Sequence, residues 1–453
     1  MPPLTDGLPV PRRYWAVLTL VIAVTMAVLD GAIANTALPT IGRDLHAGPV
    51  SAIWVVNAYQ LAVTVSLLPL ASCGDIFGYR RVYAVGVVVF SLASLGCALS
   101  WSMPSLVTMR VLQGLGGAGI MSVNAALLRF IYPRSRLGRG VGFNALVVAV
   151  STAIGPTVAS AILSVGPWQW LFAVNVPLGA FAVVLAIWAL PHTARSPHPF
   201  DAASALLNAG AFGGLIIALG GVAQGGRPVL LAGAFALGVG FAVAFVRRQL
   251  RLPAPMLPVD LFRRPIFALS AATAVCSFAA QALAYVSLPF LFQDALGRTQ
   301  VQTGLLLTPW PVVVGIMAPI AGRLADRYSA GILGGIGMVT LCVGLSATAL
   351  LPAHASDLAI IWRMAVCGAG FGFFQSPNLR ALLHGVPPER SGGASGIVAT
   401  ARLVGQTTGA ALVALCFALA GPHGSVLALA VGAGFAGAAG VASCLRLVEF
   451  GRA

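Results

Sequence analysis

Asp30 stands in the stretch AVLDGAIANTALP, inside an apolar run from Tyr14 to Leu38. A run of that length crosses a bilayer as one helix. An ionised carboxylate there costs at least ~2.5 kcal/mol on insertion scales, so the acid has chemistry to do: proton exchange or ion pairing. Arg110, Arg363 and Arg402 also fall within apolar runs. At ~1.5 Å per helical residue, Asp30 lies ~24 Å from the near end of its run and Arg110 ~9 Å from the far end of its own. In a hydrocarbon core ~30 Å thick the two sit at similar depth. Burial and a neighbouring guanidinium act on a carboxylic acid in opposite senses. A pair whose hydration changes can therefore take up and release a proton; a static ion pair pinning two helices is the other reading.

Two further acids, Asp75 in SCGDIFGYRR and Asp326 in AGRLADRYSAG, stand beside helix ends and arginines. Acids so placed cap helix N-termini or pair with Arg, or simply anchor a turn. Gly114, Gly116, Gly117 and Gly119 let helices approach closely. The AIGPT segment holds Gly155–Pro156, a candidate bend around a cavity. Trp310 lies between two prolines in LLTPWPVVVG, far from the interfaces where Trp collects. With Phe278, Gln281, Tyr285, Phe371, Phe374 and Gln375 it offers an aromatic, amide-bearing surface suited to a broad binding pocket. Trp310 as lipid-facing filler is the plain alternative.

The elements that must position these groups are membrane helices. Of 453 residues, 58% are hydrophobic and 8% charged, against about 25% charged in soluble domains. The fold class expected is an all-α polytopic membrane protein with fourteen spans. They are 14–38, 50–72, 81–101, 104–128, 138–163, 169–190, 203–223, 228–246, 266–292, 303–321, 332–352, 357–380, 393–420 and 423–446. All 26 basic residues are Arg. With the N-terminus inside, 20 Arg are cytoplasmic, three external (Arg43, Arg227, Arg298) and three within spans. The positive-inside bias therefore puts both termini in the cytoplasm. It also accounts for the +15 charge better than a nucleic-acid partner does. A cleaved signal peptide is rejected because the first run is too long and contains Asp30.

The chain repeats. Asp75 and Asp326 are 251 residues apart, Arg110 and Arg363 253, and Arg136 and Arg390 254, as are Gly155 and Gly409. Parallel half-repeats are a transporter device. They divide the chain into a six-helix bundle at 1–202, two inserted helices with a cytoplasmic linker at 203–264, and a second six-helix bundle at 265–453.

With these motifs the sequence resembles the major facilitator superfamily, and within it the fourteen-span drug:proton antiporter branch. LDGAIANTALP is similar to that branch's first-span signature through Leu29, Asp30, Asn35, Ala37, Leu38 and Pro39, with Ala32 in place of Thr. ASCGDIFGYRR resembles the loop motif through Asp75, Gly78, Arg80 and Arg81, with Ala71 and Ile76 as departures. The second copy keeps Gly322, Asp326 and Arg327. RVLQGLGGAG resembles the span-four motif through Arg110, Gln113, Gly114 and Gly116. STAIGPTVAS resembles the antiporter motif through Gly155 and Pro156, with Ser160 replacing Gly, and WQWLFAVNVPLG is similar to the start of span six. The resemblance implies a proton-coupled exporter of amphipathic drugs or toxic compounds, coupled by Asp30 and Arg110 and gated by the loop acids. Asn35, Gln113, Gln281, Tyr285, Trp310, Phe374 and Gln375 are its substrate-binding candidates.

Competing classes fit less well. A receptor would want a sizeable soluble domain. An intramembrane enzyme would want more than one clear acid, yet all six histidines fall in loops or at helix ends. Without Lys there is no P-loop and hence no self-contained ATP motor. Seven cysteines with no close pair suggest neither disulfide nor metal site. The expected partners are small molecules, protons and lipid, with no cofactor, no nucleic acid and a monomeric state. A single membrane acid favours monovalent cations or neutral cargo over dications, which would need Asp294 as well. A neutral or anionic metabolite or antibiotic, held by Arg363 or Arg402, is the alternative cargo.

Overall fold

The structure is a computed structural model that describes residues 6–193, 200–252, 255–383 and 391–450. Arg390, one member of the repeat, lies outside them. The helices are α1 (Arg12–Asp44), α2 (Pro49–Phe77), α3 (Tyr79–Ala98), α4 (Met103–Ile131), α5 (Leu137–Val165), α6 (Trp170–Ala173), α7 (Asn175–Ala189) and α8 (Ala202–Ala223). They continue with α9 (Pro228–Gln249), α10 (Pro265–Phe290), α11 (Gln300–Leu307), α12 (Pro309–Leu324), α13 (Ala330–Ala349), α14 (Asp357–Leu383), α15 (Ser391–Ala420) and α16 (Gly424–Phe450). Among the described residues, thirteen helical stretches are long and apolar enough to cross a membrane. The last of them, Gly396–Leu447, runs for 52 residues. It is interrupted by a 3-10 turn at Gly421–His423, across which α15 and α16 pack on each other.

Among the described residues proline begins some helices and also stands inside α1, α2, α5, α10, α12 and α14 without ending them. It occupies the first turn of α2, α4, α9, α10 and α12, where no intrahelical N–H partner is lost. The sequence reading ended the first span at Leu38, yet α1 continues through Pro39 to Asp44. Neighbouring helices satisfy the backbone groups a membrane proline frees. The expected spans 169–190 and 303–321 each remain one apolar helical stretch. A one-residue turn in helical backbone conformation stands at Val174, between α6 and α7, and at Thr308, between α11 and α12.

Lipid tails are as apolar as leucine, so small residues rather than hydrophobicity hold membrane helices together. A Cβ on Gly86 of α3 would stand 3.0 Å from the Gly116 carbonyl oxygen of α4. The same contact recurs between Gly337 of α13 and Gly370 of α14, at 2.7 Å. Gly78 alone separates α2 from α3, at φ +96°, a conformation that glycine adopts without strain.

One apolar core joins α1, α2, α3, α4 and α7, and another joins α10 through α14 with α16. Helices α8 and α9 pack together, and α8 rests on α2 and α15. The two groups of helices meet at the face where α1 ends. There Gln293 Oε1 accepts from Thr40 Oγ1 (3.3 Å) and Arg43 Nη2 (3.1 Å), while its Nε2 donates to the Thr36 carbonyl (3.0 Å). An apolar cluster containing Ile33, Leu38, Ile53, Phe290 and Phe417 seals that face. Ser160 Oγ donates to the Val301 carbonyl at 3.0 Å near the end of α5, and deeper Thr64 and Thr407 are 2.9 Å apart. Toward the face where α1 begins, α5 buries no residue between 141 and 150, and α12 none between 312 and 320. Leu403 and Ala399 of α15 nevertheless pack against the first core.

Candidate functional site

Asp30 is 2% exposed and Arg110 fully buried. Arg110 on α4 reaches Asp30 on α1, and α4 also lies close against α2: a Cβ on Gly114 would stand 2.6 Å from the Tyr59 carbonyl oxygen. Arg110 Nη1 donates to Asp30 Oδ2 and, at 2.6 Å, to Gln113 Oε1. Its Nε donates to the Val55 carbonyl at 2.9 Å. Asp30 Oδ1 accepts from Gln113 Nε2 (2.7 Å) and from Asn175 Nδ2 (3.1 Å). Gln113 Nε2 also reaches Ser94 Oγ at 2.8 Å. Both carboxylate oxygens are thus satisfied by charged or amide donors, the arrangement a buried charge requires. The guanidinium carbon lies 4.4 Å from the Tyr59 ring centroid and 5.5 Å from that of Phe172, within cation–π range.

A central cavity of about 160 Å³ opens between the two groups of helices. Asn35, Tyr59, Gln60, Gln281, Tyr285, Arg402 and Gln406 supply its polar wall, and Val28, Val63, Met121, Val286 and Leu403 its apolar one. Asp30 is not among the lining residues, although Ala27, Gly31 and Ala32 beside it are. It faces inward toward α4 and α7, and Tyr59 stands both on the cavity wall and against Arg110. A cargo in the cavity therefore does not touch the acid in this conformation.

The remaining candidates separate by place. Gln113 belongs to the Asp30 cluster rather than to the cavity. Trp310 is fully buried behind Tyr285, with ring centroids 5.1 Å apart, so it backs the wall without lining it. Phe374 packs on Phe371 in the core of the second group. Gln375 is exposed and does not line the cavity. Asp294 lies in a separate groove at the face where α1 ends, with Phe290 and Phe417.

Gly155 and Pro156 sit where α5 meets α1 and α11: a Cβ on Gly155 would meet that of Ala32, and the Pro156 carbonyl lies against Gly304. The segment is a contact between helix groups, not a cavity wall. The two loop acids take different partners. Asp75 accepts from the Tyr79 hydroxyl instead of an arginine. Asp326 pairs with Arg380 on α14, within its own helix group. Arg80 binds the Ile187 carbonyl and, at 2.8 Å, His192, while Arg81 and Arg327 are exposed and Gly322 half-buried. Asp75 and Asp326 thus each take a partner within their own helix group.

Sequence reasoning missed Asn175, although it lies within the quoted WQWLFAVNVPLG. It also counted Arg446 among the cytoplasmic charges, whereas the side chain is fully buried. Arg446 Nη1 reaches Ser270 Oγ at 3.0 Å and Asn378 Oδ1 at 2.9 Å. Ser443, one helical turn earlier on the same face, was the available signal.

The Major Facilitator Superfamily family pattern matches residues 20–410. The chain belongs to that superfamily. It is 56% identical over 446 residues to the uncharacterized transporter YebQ of Escherichia coli (strain K12), covering 98% of each chain. It is 31% identical to the multidrug resistance protein Stp of Mycobacterium tuberculosis (strain CDC 1551 / Oshkosh), covering 86% of this chain and 73% of that one. In fold it is similar to a bacterial homologue of the human lysosomal transporter Spinster, with a TM-score of 0.70, 15% identity and 97% of each chain covered. Family and fold are those of multi-pass membrane transporters rather than enzymes.

Proposed function

We propose that this transporter is a proton-driven exporter of small amphipathic molecules, an antiporter of the drug:proton type working by alternating access as a monomer. The observation that carries the reading is the buried Asp30–Arg110–Gln113–Asn175 cluster, walled from the central cavity by Tyr59. An acid that is paired and dry in one state changes its hold on a proton when water reaches it. Rearrangement of the helices around Tyr59 would couple that change to the cavity. Inward proton movement supplies about 2.3 kcal/mol per 100 mV, and each pH unit about 1.36 kcal/mol. The multidrug resistance name of the Stp relative supports an exported cargo. Arg402 on the cavity wall favours a neutral or anionic metabolite or antibiotic over a cationic drug.

In this reading the chain crosses the bacterial cytoplasmic membrane fourteen times with both termini inside. The 52-residue final stretch would be ~78 Å long if straight, more than twice the ~30 Å core, so it counts as two spans. The bundles at 1–202 and 265–453 then rock about the cavity, with α8 and α9 as the insertion. Asp75, Gly78, Arg80, Arg81, Gly322, Asp326 and Arg327 form the gate on the cytoplasmic side. The test is efflux from proteoliposomes driven by an imposed pH gradient, with Asp30→Asn alongside. Wild-type efflux in that variant, or efflux indifferent to the gradient, would overturn the proposal.

A further inference from the structure

Among the described residues four arginines lie inside the helical body, and three have hydrogen-bond acceptors, although Arg110 Nη2, like Arg402 Nε, is itself buried without one. Arg110 has Asp30, Gln113 and the Val55 carbonyl. Arg363 Nε and Nη1 donate to the carbonyls of Ala347 (2.9 Å) and Ala359 (2.7 Å). Arg446 has Ser270, Asn378 and Ser443. Arg402 differs. It lines the central cavity, its Nε is buried without an acceptor, and no carboxylate shares the wall. A guanidinium stays charged in any protein environment, and a charge held in the membrane interior without a counter-ion is costly.

The rest of the wall fits the missing counter-ion. Gln60, Gln281 and Gln406 bring amide donors, and Tyr59 and Tyr285 bring aromatic surface. Asp30 cannot act as the counter-ion here, since both its oxygens are engaged on the far side of Tyr59. A cationic cargo would face Arg402 with nothing to offset the repulsion. An anion would supply the acceptor the cavity lacks. A planar carboxylate matches the guanidinium fork, which donates two parallel hydrogen bonds. The volume of about 160 Å³ suits a one- or two-ring body, below the ~300–1,000 Å³ of drug-sized sites.

We propose that Arg402 anchors an anion site in the central cavity, and that the cargo is a small amphipathic monocarboxylate whose ring system packs on the tyrosine-lined wall. The inference rests on reading the cavity as the substrate path, and it names the cargo's charge. It also separates the two binding events. The proton belongs to Asp30 in the first group of helices, and the anion to Arg402 on α15.

The test uses the purified full-length protein and three probes sharing one ring system: 1-naphthoate, 1-naphthamide and 1-naphthylmethyl-trimethylammonium. Affinities are measured by calorimetry. Naphthoate is expected to bind at least ten-fold tighter than the amide, with the ammonium compound weakest. Arg402→Gln should abolish the preference for naphthoate while leaving amide affinity within about two-fold, Arg402→Lys should retain part of it, and Asp30→Asn should leave it intact. Equal or tighter binding of the amide or the ammonium compound, no naphthoate binding up to millimolar concentration, or an undiminished preference in Arg402→Gln would overturn the site. The wild-type comparison needs no variant, so misfolding of Arg402→Gln would leave the test standing. Proton-driven export of a cation with no naphthoate binding would sink the anion site and spare the exporter. No proton-driven transport of any compound would sink the exporter whatever naphthoate does.

Discussion

The ring of Tyr59 lies 4.4 Å from the guanidinium carbon of Arg110 and also forms part of the central cavity's wall. Its hydroxyl donates to the Ala27 carbonyl of α1 at 3.2 Å, which fixes the ring between acid cluster and cavity. Replacing Tyr59 by Phe keeps the ring and removes that tether. Cargo binding and proton release are then expected to uncouple in part. The number of protons moved per cargo molecule should fall, while cargo affinity changes by less than about three-fold. Simultaneous pH-dye and cargo-flux recording in proteoliposomes measures both.

Removing one member of a buried ion pair strands the other, at a cost of about 3–5 kcal/mol. Arg110→Ala is therefore expected to lower stability by that order in detergent unfolding. Adding Asp30→Asn should recover much of the loss without restoring export. Strict additivity of the two stability changes would show that the residues do not interact energetically.

The glycine contacts Gly86–Gly116 and Gly337–Gly370 are equivalent positions of the repeat. Gly116→Ala and Gly370→Ala each push a methyl into facing backbone. Overpacking of this kind costs about 1–3 kcal/mol. Similar drops in thermal stability are expected, with export lost further in Gly116→Ala because α4 also carries Arg110.

Gln293 ties α10 to Thr36, Thr40 and Arg43 of α1 at the closed face. Gln293→Ala should shift the population toward opening there. In a background cleared of its seven cysteines, Asn35→Cys is expected to react several-fold faster with a membrane-impermeant thiol reagent applied from that face. An unchanged labelling rate would show that closure rests on the apolar cluster alone.

Asp201 caps α8 through the Ser204 amide and pairs with Arg248 at the end of α9, at 2.9 Å. Partial burial raises its proton affinity. The hydrogen bonds from Arg248 and Ser204 outweigh that and hold the carboxyl below the usual carboxylate range. A depressed native value adds stability that is present at neutral pH and lost as pH falls through it. Asp201→Asn should accordingly narrow the gap between wild type and variant in acid, which pH-resolved thermal unfolding checks.

Much of this site was legible in one dimension. Helix rise put Asp30 and Arg110 at one depth, whereas Gln113, read as a substrate contact, joins them only through the packing that sets its Nε2 on Asp30 Oδ1. Asn175 was not legible, because it lies 145 residues from Asp30 and only the packing of α7 on α1 brings the two together. Cavity membership failed for a similar reason. Trp310 has the right depth, but only the packing shows that Tyr285 stands in front of it. Arg446 was misjudged because a long side chain near a helix end can reach water or fold inward, and only its neighbours decide which.

The single residue between α2 and α3 leaves no slack in the chain. Phe77 ends one helix and Tyr79 starts the next, so a tilt of α2 cannot be absorbed by a connecting loop. It must be passed to α3 as a lever passes force through its pivot. Eight residues beyond Gly78, or ~12 Å along the axis, Gly86 bears on Gly116 of α4 with no side chain between. Six residues from that contact, on the same helix, is Arg110. A push on the arginine-rich turn at one surface therefore arrives at the buried ion pair as displacement, and the hinge that looks like surface decoration sets how stiff that transmission is.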